Sequence, residues 1–249
     1  LRGYSLFHIE AGLRTGEKSE PFPEEVFRRG IGTMADVHFA TTTEARAHLL
    51  KEGIREENII LSGNTEADAL RDLLPHAPKR QPTVLITLHR RENLSALDGI
   101  LQAVRELAER FPERRFFFPV HPSPAFAEAV REHLYGVPNL TQSPPIPPTE
   151  FLGYLKSAEA VLTDSGGVSE ECAILGVPTV VMRNKTEREA ELRSGCVFLA
   201  GTQKDGILSV TAPILRNPAA VALPPSFPKR SPSAVIAREM LRHIKNGDP

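Results

Sequence analysis

The chain has 249 residues, enough for one large or two ordinary domains with real cores, and 41% hydrophobic and 24% charged content is that of a globular protein. A formal net charge of −1 argues against a polyanion-binding surface, and the longest apolar runs, Phe116–Val120 and Val177–Met182, are strand-sized and far short of a bilayer span. Nucleic-acid and membrane partners are therefore not expected. The two cysteines, Cys172 and Cys196, lie in apolar segments without metal-like spacing, which reads as buried free thiols in a reducing compartment and no metal site.

No signal peptide is visible. The chain opens without Met on Leu1-Arg2-Gly3 and runs at once into the strand-like Tyr4–Ile9, so the expectation is that part of a longer polypeptide is absent. A polar loop, Ala11–Pro23, leads to a helix over Glu24–Met34 with Pro23 near its first turn. Val37–Ala40 reads as a strand, Thr42 or Thr43 caps a helix to about Glu52, Asn58–Ser62 is another strand, and Thr65 starts a helix ending near Leu74. Pro75–Pro82, polar and proline-punctuated, reads as a linker.

The alternation then begins afresh. Thr83–Leu88 is a strand, Ala96–Phe111 an amphipathic helix, Phe116–Val120 a strand, Pro124–Leu134 a helix and Leu140 a short strand. Ser143–Pro148 is a proline-rich loop, and Thr149 caps a helix over Glu150–Ser157. Ala158–Met182 is one βαβ step: a strand through Val161, Leu162 and Thr163, a glycine turn, a helix over Val168–Leu175, and a break at Gly176 and Pro178 before the next strand. Cys196–Ala200 is a strand, Gln203–Arg216 a helix, Pro218–Pro232 proline-rich, and Ser233–Ile244 the last helix.

Strands alternating with helices at this spacing predict an α/β fold of two Rossmann-like domains built on parallel sheets, the first incomplete. The expected division is 1–76 for the C-terminal part of the first domain and 77–217 for the second. Residues 218–249 form a proline-rich segment and a helix that packs back on the first.

Candidate chemistry collects at strand ends, where open parallel sheets bind ligands. Asp164-Ser165-Gly166-Gly167 precedes a helix whose first N–H groups and dipole suit a phosphate, and Glu170 and Glu171 follow within about a turn. A carboxylate there suits two ribose hydroxyls; equally, Ser165 is simply a helix cap and the glycines simply turn. Glu10 lies at a strand end beside a glycine loop, yet it also has Arg14 as a local partner. Glu24 and Glu25 open a helix, where capping suffices to explain them. His89, Arg90, Arg91 and Glu92 suit phosphate or sugar contact, or an exposed loop in which Glu92 neutralises an arginine. His121 repeats the position one strand later, and Thr186-Glu187-Arg188 opens a helix after the strand ending at Met182. These loops together point to one shared site on one sheet edge.

The segments HIEAGLRTG, PFPEE, SGNTEADAL, HRREN, TDSGG-x-x-EE and VVMRN-x-TER, in that order from His8, resemble the non-hydrolysing UDP-N-acetylglucosamine 2-epimerases, with similarity reaching about Thr202. The resemblance implies two Rossmann-like domains of glycosyltransferase B-like architecture. The implied reaction is epimerisation at C2 of UDP-N-acetylglucosamine to UDP-N-acetylmannosamine, by anti elimination of UDP to 2-acetamidoglucal and re-addition, with no nicotinamide, other cofactor or metal. By motif position, Glu10, Glu24 and His89 match the catalytic residues. Ser165, Gly166 and Gly167 match the diphosphate cradle, Glu171 the ribose ligand, Arg188 a further UDP contact, and Phe151 the aromatic near uracil. Arg90 and Glu92 match the loop that meets a second, activating UDP-N-acetylglucosamine, and His121 a possible substrate contact. The resemblance also implies a homodimer and a cytoplasmic role in surface-polysaccharide supply.

Departures from the family pattern are specific. The basic contacts and the further catalytic Asp of the family's N-terminal part have no counterpart here, a segment of roughly a hundred residues. Glu189 follows Arg188 where Pro is usual, Pro122-Ser123-Pro124 replaces Leu-Asn-Pro after His121, and Pro224–Pro232 stands in place of an NPYGDG-like segment. These leave two alternatives: epimerisation or hydrolysis of a related UDP-2-acetamido sugar, or UDP binding without turnover, with the 249-residue chain alone expected to be inactive.

Overall fold

The computed structural model of the chain describes residues 4–18, 22–73 and 80–245, without the side chains of Leu73, Glu92 and Lys245. It divides into two compact units, one of Leu1–Leu73 with Glu187–Ala190 and Phe227–Pro249, the other of Leu74–Thr186 with Glu191–Ser226.

In the first unit, β1 (Phe7–Ala11), β2 (Val37–Ala40) and β3 (Ile59–Leu61) form a parallel sheet in that order. Side chains alternate across a strand, so β2 serves two layers. Val37 and Phe39 pack with Ile236 and Met240 of α10 (Pro232–Lys245), whereas Ala40 packs with Ala45 and Leu49 of α2 (Thr43–Lys51) on the opposite face. Thr42 is the cap of α2, its hydroxyl accepting the Ala45 N–H at 3.1 Å. The loop after β1 runs against this helix so closely that a Cβ on Gly12 would stand 2.1 Å from the Ala45 carbonyl oxygen. With φ +90° as well, the position accepts only glycine. Among the described residues this unit also carries α1 (Glu24–Met34), α3 (Glu66–Leu73), a 3-10 turn at Glu56–Asn58 and the beginning of the short α8 (Glu189–Leu192).

The second unit carries a six-stranded, all-parallel sheet from β4 (Gln81–Thr87), β5 (Arg115–Pro119), β6 (Leu140–Ser143), β7 (Ala158–Thr163), β8 (Thr179–Val181) and β9 (Val197–Leu199), in the order β6-β5-β4-β7-β8-β9. The core on one face joins Val84, Ile86, Phe116, Phe118, Ala160, Leu162 and Val180 to α4 (Leu97–Arg110), α5 (Pro124–Leu134) and α9 (Lys204–Arg216). Buried positions of α4 fall at 97, 100, 101, 103, 104, 107 and 108, the helical repeat that makes one apolar stripe. The other face carries α6 (Pro148–Ser157) and α7 (Gly166–Leu175). Coverage on both faces explains why Thr83–Thr87 is buried throughout. Gly176 ends α7 in the left-handed conformation at φ 65°, and a Cβ there would meet the Leu223 carbonyl oxygen at 2.1 Å.

Local differences from the sequence reading have simple causes. β1 extends to Ala11 because Glu10 is accommodated as a bulge, whereas the sequence pattern ends the strand at Ile9. Gln81 and Pro82 belong to β4, since Pro82 lies near the strand's start, where a missing N–H is tolerated. Thr149 caps nothing: α6 begins at Pro148 with Pro147 as its N-cap and no side-chain cap bond. Ser165 caps α7, which places Gly166 and Gly167 inside the helix start. Both cysteines are buried and free. Among the described residues no helix is long and apolar enough to cross a membrane, and no group of His, Cys, Asp or Glu has metal-holding geometry.

Candidate nucleotide-sugar site

β4 and β7 are neighbours, yet the chain leaves β4 toward β5 and β6 on one side and leaves β7 toward β8 and β9 on the other. Loops that diverge from adjacent parallel strands open a crevice at the carboxyl edge, the place where such sheets take ligands. The HRREN loop follows β4 and the DSGG turn follows β7, so both candidate motifs of the second unit meet at this point.

Asp164 joins them. Its side chain is fully buried. The backbone N–H of His89 donates to its carboxylate at 3.1 and 3.2 Å, that of Arg90 at 3.0 Å, and Asn93 Nδ2 at 3.2 Å. His89 Nδ1 lies 3.3 Å from Oδ1. In return, the Asp164 carbonyl accepts from Arg90 Nε at 3.1 Å, and the Asp164 N–H donates to the Thr87 carbonyl at 3.3 Å. Asn93 Nδ2 also donates to the Met182 carbonyl at 3.2 Å, drawing the end of β8 into the same knot. The sequence pattern places Asp164 only beside a glycine turn and gives Asn93 no role of its own. The available signal was a carboxylate at the end of a strand otherwise buried on both faces, a position that demands hydrogen-bond donors.

Beyond Asp164 the Ser165 hydroxyl accepts the Val168 N–H at 3.4 Å. The N–H groups of Gly166 and Gly167, in the first turn of α7, have no acceptor within the helix and sit at the positive end of its dipole. A Cβ on Gly167 would meet nothing closer than Ser165 Oγ at 3.9 Å. Packing therefore does not demand a glycine at Gly167, and its effect is to leave the helix start bare. Glu171 lies on α7, partly exposed beside the buried Glu170.

A concavity of about 210 Å³ opens at the ends of β4 and β5. Its wall includes His89, His121, Val120, Pro145, Ile146 and Phe151. Phe151 is half-buried on α6, and His121 takes the Ser123 N–H on Nδ1 at 3.2 Å. The second unit thus gathers His89, Arg90, His121, Phe151 and the Ser165–Gly167 turn on one edge. The side chain of Glu92 lies outside the described residues.

In the first unit Glu10 occupies a bulge of β1 at φ +61°, a left-handed conformation that is uncommon for a side-chain-bearing residue. Arg188 Nη2 donates to Glu10 Oε1 at 2.8 Å, and Glu187 lies 3.8 Å from Arg28. The local pairing open to Glu10 in the sequence does not form: Arg14 instead makes a two-pronged contact with Glu52, both bonds at 2.8 Å. Arg188 groups with the first unit. Glu24 and Glu25 also separate. Glu25 is fully buried and accepts from the Thr15 N–H at 3.3 Å and Arg29 Nε at 3.4 Å, while Glu24 is exposed at the helix start. Neither is a side-chain cap of α1. Two residues before Glu10, burial pushes the His8 imidazole down to about 4, aided by His38, Arg14 and Arg28 and opposed by Glu10.

Comparisons with known proteins agree on one family. The family profile described as UDP-N-acetylglucosamine 2-epimerase matches residues 1–228. The UDP-N-acetylglucosamine 2-epimerase of Bacillus subtilis is 38% identical over 220 residues, covering 85% of this chain and 58% of that protein. A Listeria monocytogenes protein provisionally given the same enzyme name has a crystal structure that superposes with a TM-score of 0.88 at 35% identity, over 98% of this chain and 68% of that one. The Methanocaldococcus jannaschii UDP-GlcNAc 2-epimerase, solved in complex with UDP-GlcNAc and UDP, gives 0.84 at 31% identity, over 96% and 69%. The chain spans a little under three-fifths of the length of the Bacillus relative. Its matched motifs, its two parallel-sheet units of Rossmann-like, glycosyltransferase B-like class and these comparisons place the chain in the UDP-N-acetylglucosamine 2-epimerase family.

Proposed function

We propose that the full-length protein interconverts UDP-N-acetylglucosamine and UDP-N-acetylmannosamine. A base removes the C2 proton while the C1–O bond to UDP breaks on the opposite face, giving 2-acetamidoglucal and UDP. The UDP oxygen then re-adds to C1 as C2 takes a proton on its other face. Two faces must be served, so more than one acid/base group is needed, and Glu10, Glu24 and His89 fill those roles. The leaving diphosphate is held by the N–H groups of Gly166 and Gly167 with Ser165, the ribose by Glu171, and the base beside Phe151, with Arg188 a further cationic contact.

The observation that carries this reading is the Asp164 knot. It ties the histidine loop to the helix start that suits a diphosphate, so a proton-transfer group and a leaving-group cradle share one rigid junction. Incubation of the full-length protein with UDP-N-acetylglucosamine tests it: the manno nucleotide sugar is the expected product. A second reading, hydrolysis or a related UDP-2-acetamido sugar, is favoured by the departure from the family pattern at Pro122-Ser123-Pro124, of which Pro122 lines the concavity beside His121. Free sugar plus UDP in the same assay would establish its hydrolytic form.

The same proposal includes a homodimer, a second UDP-N-acetylglucosamine acting as activator through Arg90 and Glu92, and inactivity of the 249-residue chain alone. Light scattering, the shape of the substrate-saturation curve and an assay of the isolated chain test these in turn.

A further inference from the structure

The Asp164 carboxylate contacts His89 twice, once at its backbone and once at its ring. The backbone N–H bonds of His89 and Arg90 fix where the loop runs, and the ring contact then has a consequence of its own. An ionised carboxylate is acceptor-only, whereas each nitrogen of a neutral imidazole is either donor or acceptor. Oδ1 stands 3.3 Å from Nδ1. If Nδ1 were the unprotonated nitrogen, its partial negative charge would stand 3.3 Å from a buried carboxylate, an unfavourable approach. With the proton on Nδ1, the contact becomes attractive and Nε2 is left with its lone pair. The ring itself is about half exposed, its side chain at 46%, and it lines the concavity with His121 and Phe151. Nε2 is thus the nitrogen available to a ligand.

We propose that Asp164 is a positioning residue: it holds His89 in the Nδ1–H tautomer and in one orientation, so that Nε2 is the nitrogen that gives or takes the proton. The proposal rests on the reading of His89 as an acid/base residue. Two supports make the arrangement stiff. Asn93 Nδ2 shares its two protons between Asp164 and the Met182 carbonyl, which keeps Oδ2 from rotating away. Arg90 Nε holds the Asp164 carbonyl, so the backbone on both sides of the junction is pinned. A buried carboxylate behind an imidazole is the general device by which proteins choose a histidine's tautomer.

The test reads the tautomer directly. The 249-residue chain, labelled with ring-¹⁵N histidine and recorded at alkaline pH, is compared with His89→Gln to assign the His89 nitrogens. Nδ1 of pyrrole type with Nε2 of pyridine type is expected, and Asp164→Asn is expected to lose that preference. The opposite tautomer in the unsubstituted chain overturns the proposal, as does an unchanged preference in Asp164→Asn. Should Asp164→Asn fail to fold, the unsubstituted chain alone decides. In the full-length protein Asp164→Asn should lower kcat by about 10²-fold or more while the Kd for UDP stays within about threefold. Equal loss of binding and turnover would mark a merely structural role and overturn the proposal. Absence of any epimerisation by the unsubstituted full-length protein would count against the functional reading, leaving the tautomer spectrum to judge Asp164 independently.

Discussion

Arg188 Nη2 donates to Glu10 Oε1 at 2.8 Å, and Glu10 makes this contact from a strand bulge at φ +61°. Such a conformation costs a side-chain-bearing residue about 1 kcal/mol or more, while an ion pair whose carboxylate is about half exposed returns under about 1 kcal/mol. The glutamate is therefore not there for stability. In the full-length protein Glu10→Gly should leave the unfolding free energy within about 1 kcal/mol, strain relief offsetting the lost pair and the added chain freedom. Turnover should fall by at least about 10²-fold. Urea melts and product assays on the same sample check both halves; a loss of stability above about 2 kcal/mol would show that Glu10 is structural.

Adjacent carboxylates on α1 should behave oppositely. Glu25 is buried and holds the Thr15 N–H and Arg29, so Glu25→Ala should cost about 1–3 kcal/mol in unfolding free energy. Exposed Glu24 should tolerate Ala within about 0.5 kcal/mol yet lose most turnover. Chemical denaturation with a matched activity assay separates the two, and full activity in Glu24→Ala would remove it from the proposed mechanism.

Gly12 and Gly167 make a second contrasting pair. Alanine at Gly12 would drive a Cβ to 2.1 Å from a backbone oxygen at positive φ, so the variant should be destabilised by more than about 3 kcal/mol. Alanine at Gly167 meets only a hydroxyl at 3.9 Å and improves helix propensity, so stability should hold or rise. Its methyl would stand at the bare helix start, and calorimetry should show UDP affinity reduced by about tenfold or more. Unchanged UDP affinity in Gly167→Ala would place the diphosphate elsewhere.

Acid should weaken the first unit. The folded state holds His8 neutral, its pKa pushed from 6.5 to about 4 chiefly by burial. A lowered folded pKa means that the unfolded chain binds the proton first, so stability is full above about pH 6.5 and falls as pH drops toward 4. The bidentate contact with Arg14 holds the Glu52 carboxyl below its ordinary range, and its contribution is lost at lower pH still. His8→Phe should flatten the upper part of this fall in denaturation midpoints measured between pH 7 and pH 4. An identical slope in both proteins would show that His8 is not its source.

Much of this was readable in the residues. The strands and helices of a parallel α/β chain were plain because β4 and β7 are continuous apolar runs buried on both faces and α4 repeats its apolar stripe at helical spacing. Ser165 was legible as a cap, and His89, His121 and the glycine turn as strand-end residues, because local sequence sets those positions. The partners of Glu10, Arg14 and Asp164 were not. Arg14 lies four residues from Glu10 yet pairs with Glu52, and Asp164 is satisfied by groups more than seventy residues away. Such pairings follow from which loops the strand order brings together, and no local spacing encodes them. The bulge at Glu10 was hidden for the same reason: it is defined by register against β2.

The proposed elimination and re-addition requires the C2 proton to exchange with solvent, and isotope incorporation reads that exchange. Full-length protein is incubated with UDP-N-acetylglucosamine in deuterium oxide and the nucleotide sugars are examined by mass spectrometry and NMR. One solvent deuterium at C2 of the UDP-N-acetylmannosamine formed, with UDP retained on the sugar, is the expected result. Epimer that keeps its original C2 hydrogen, or no epimer at all, would contradict it.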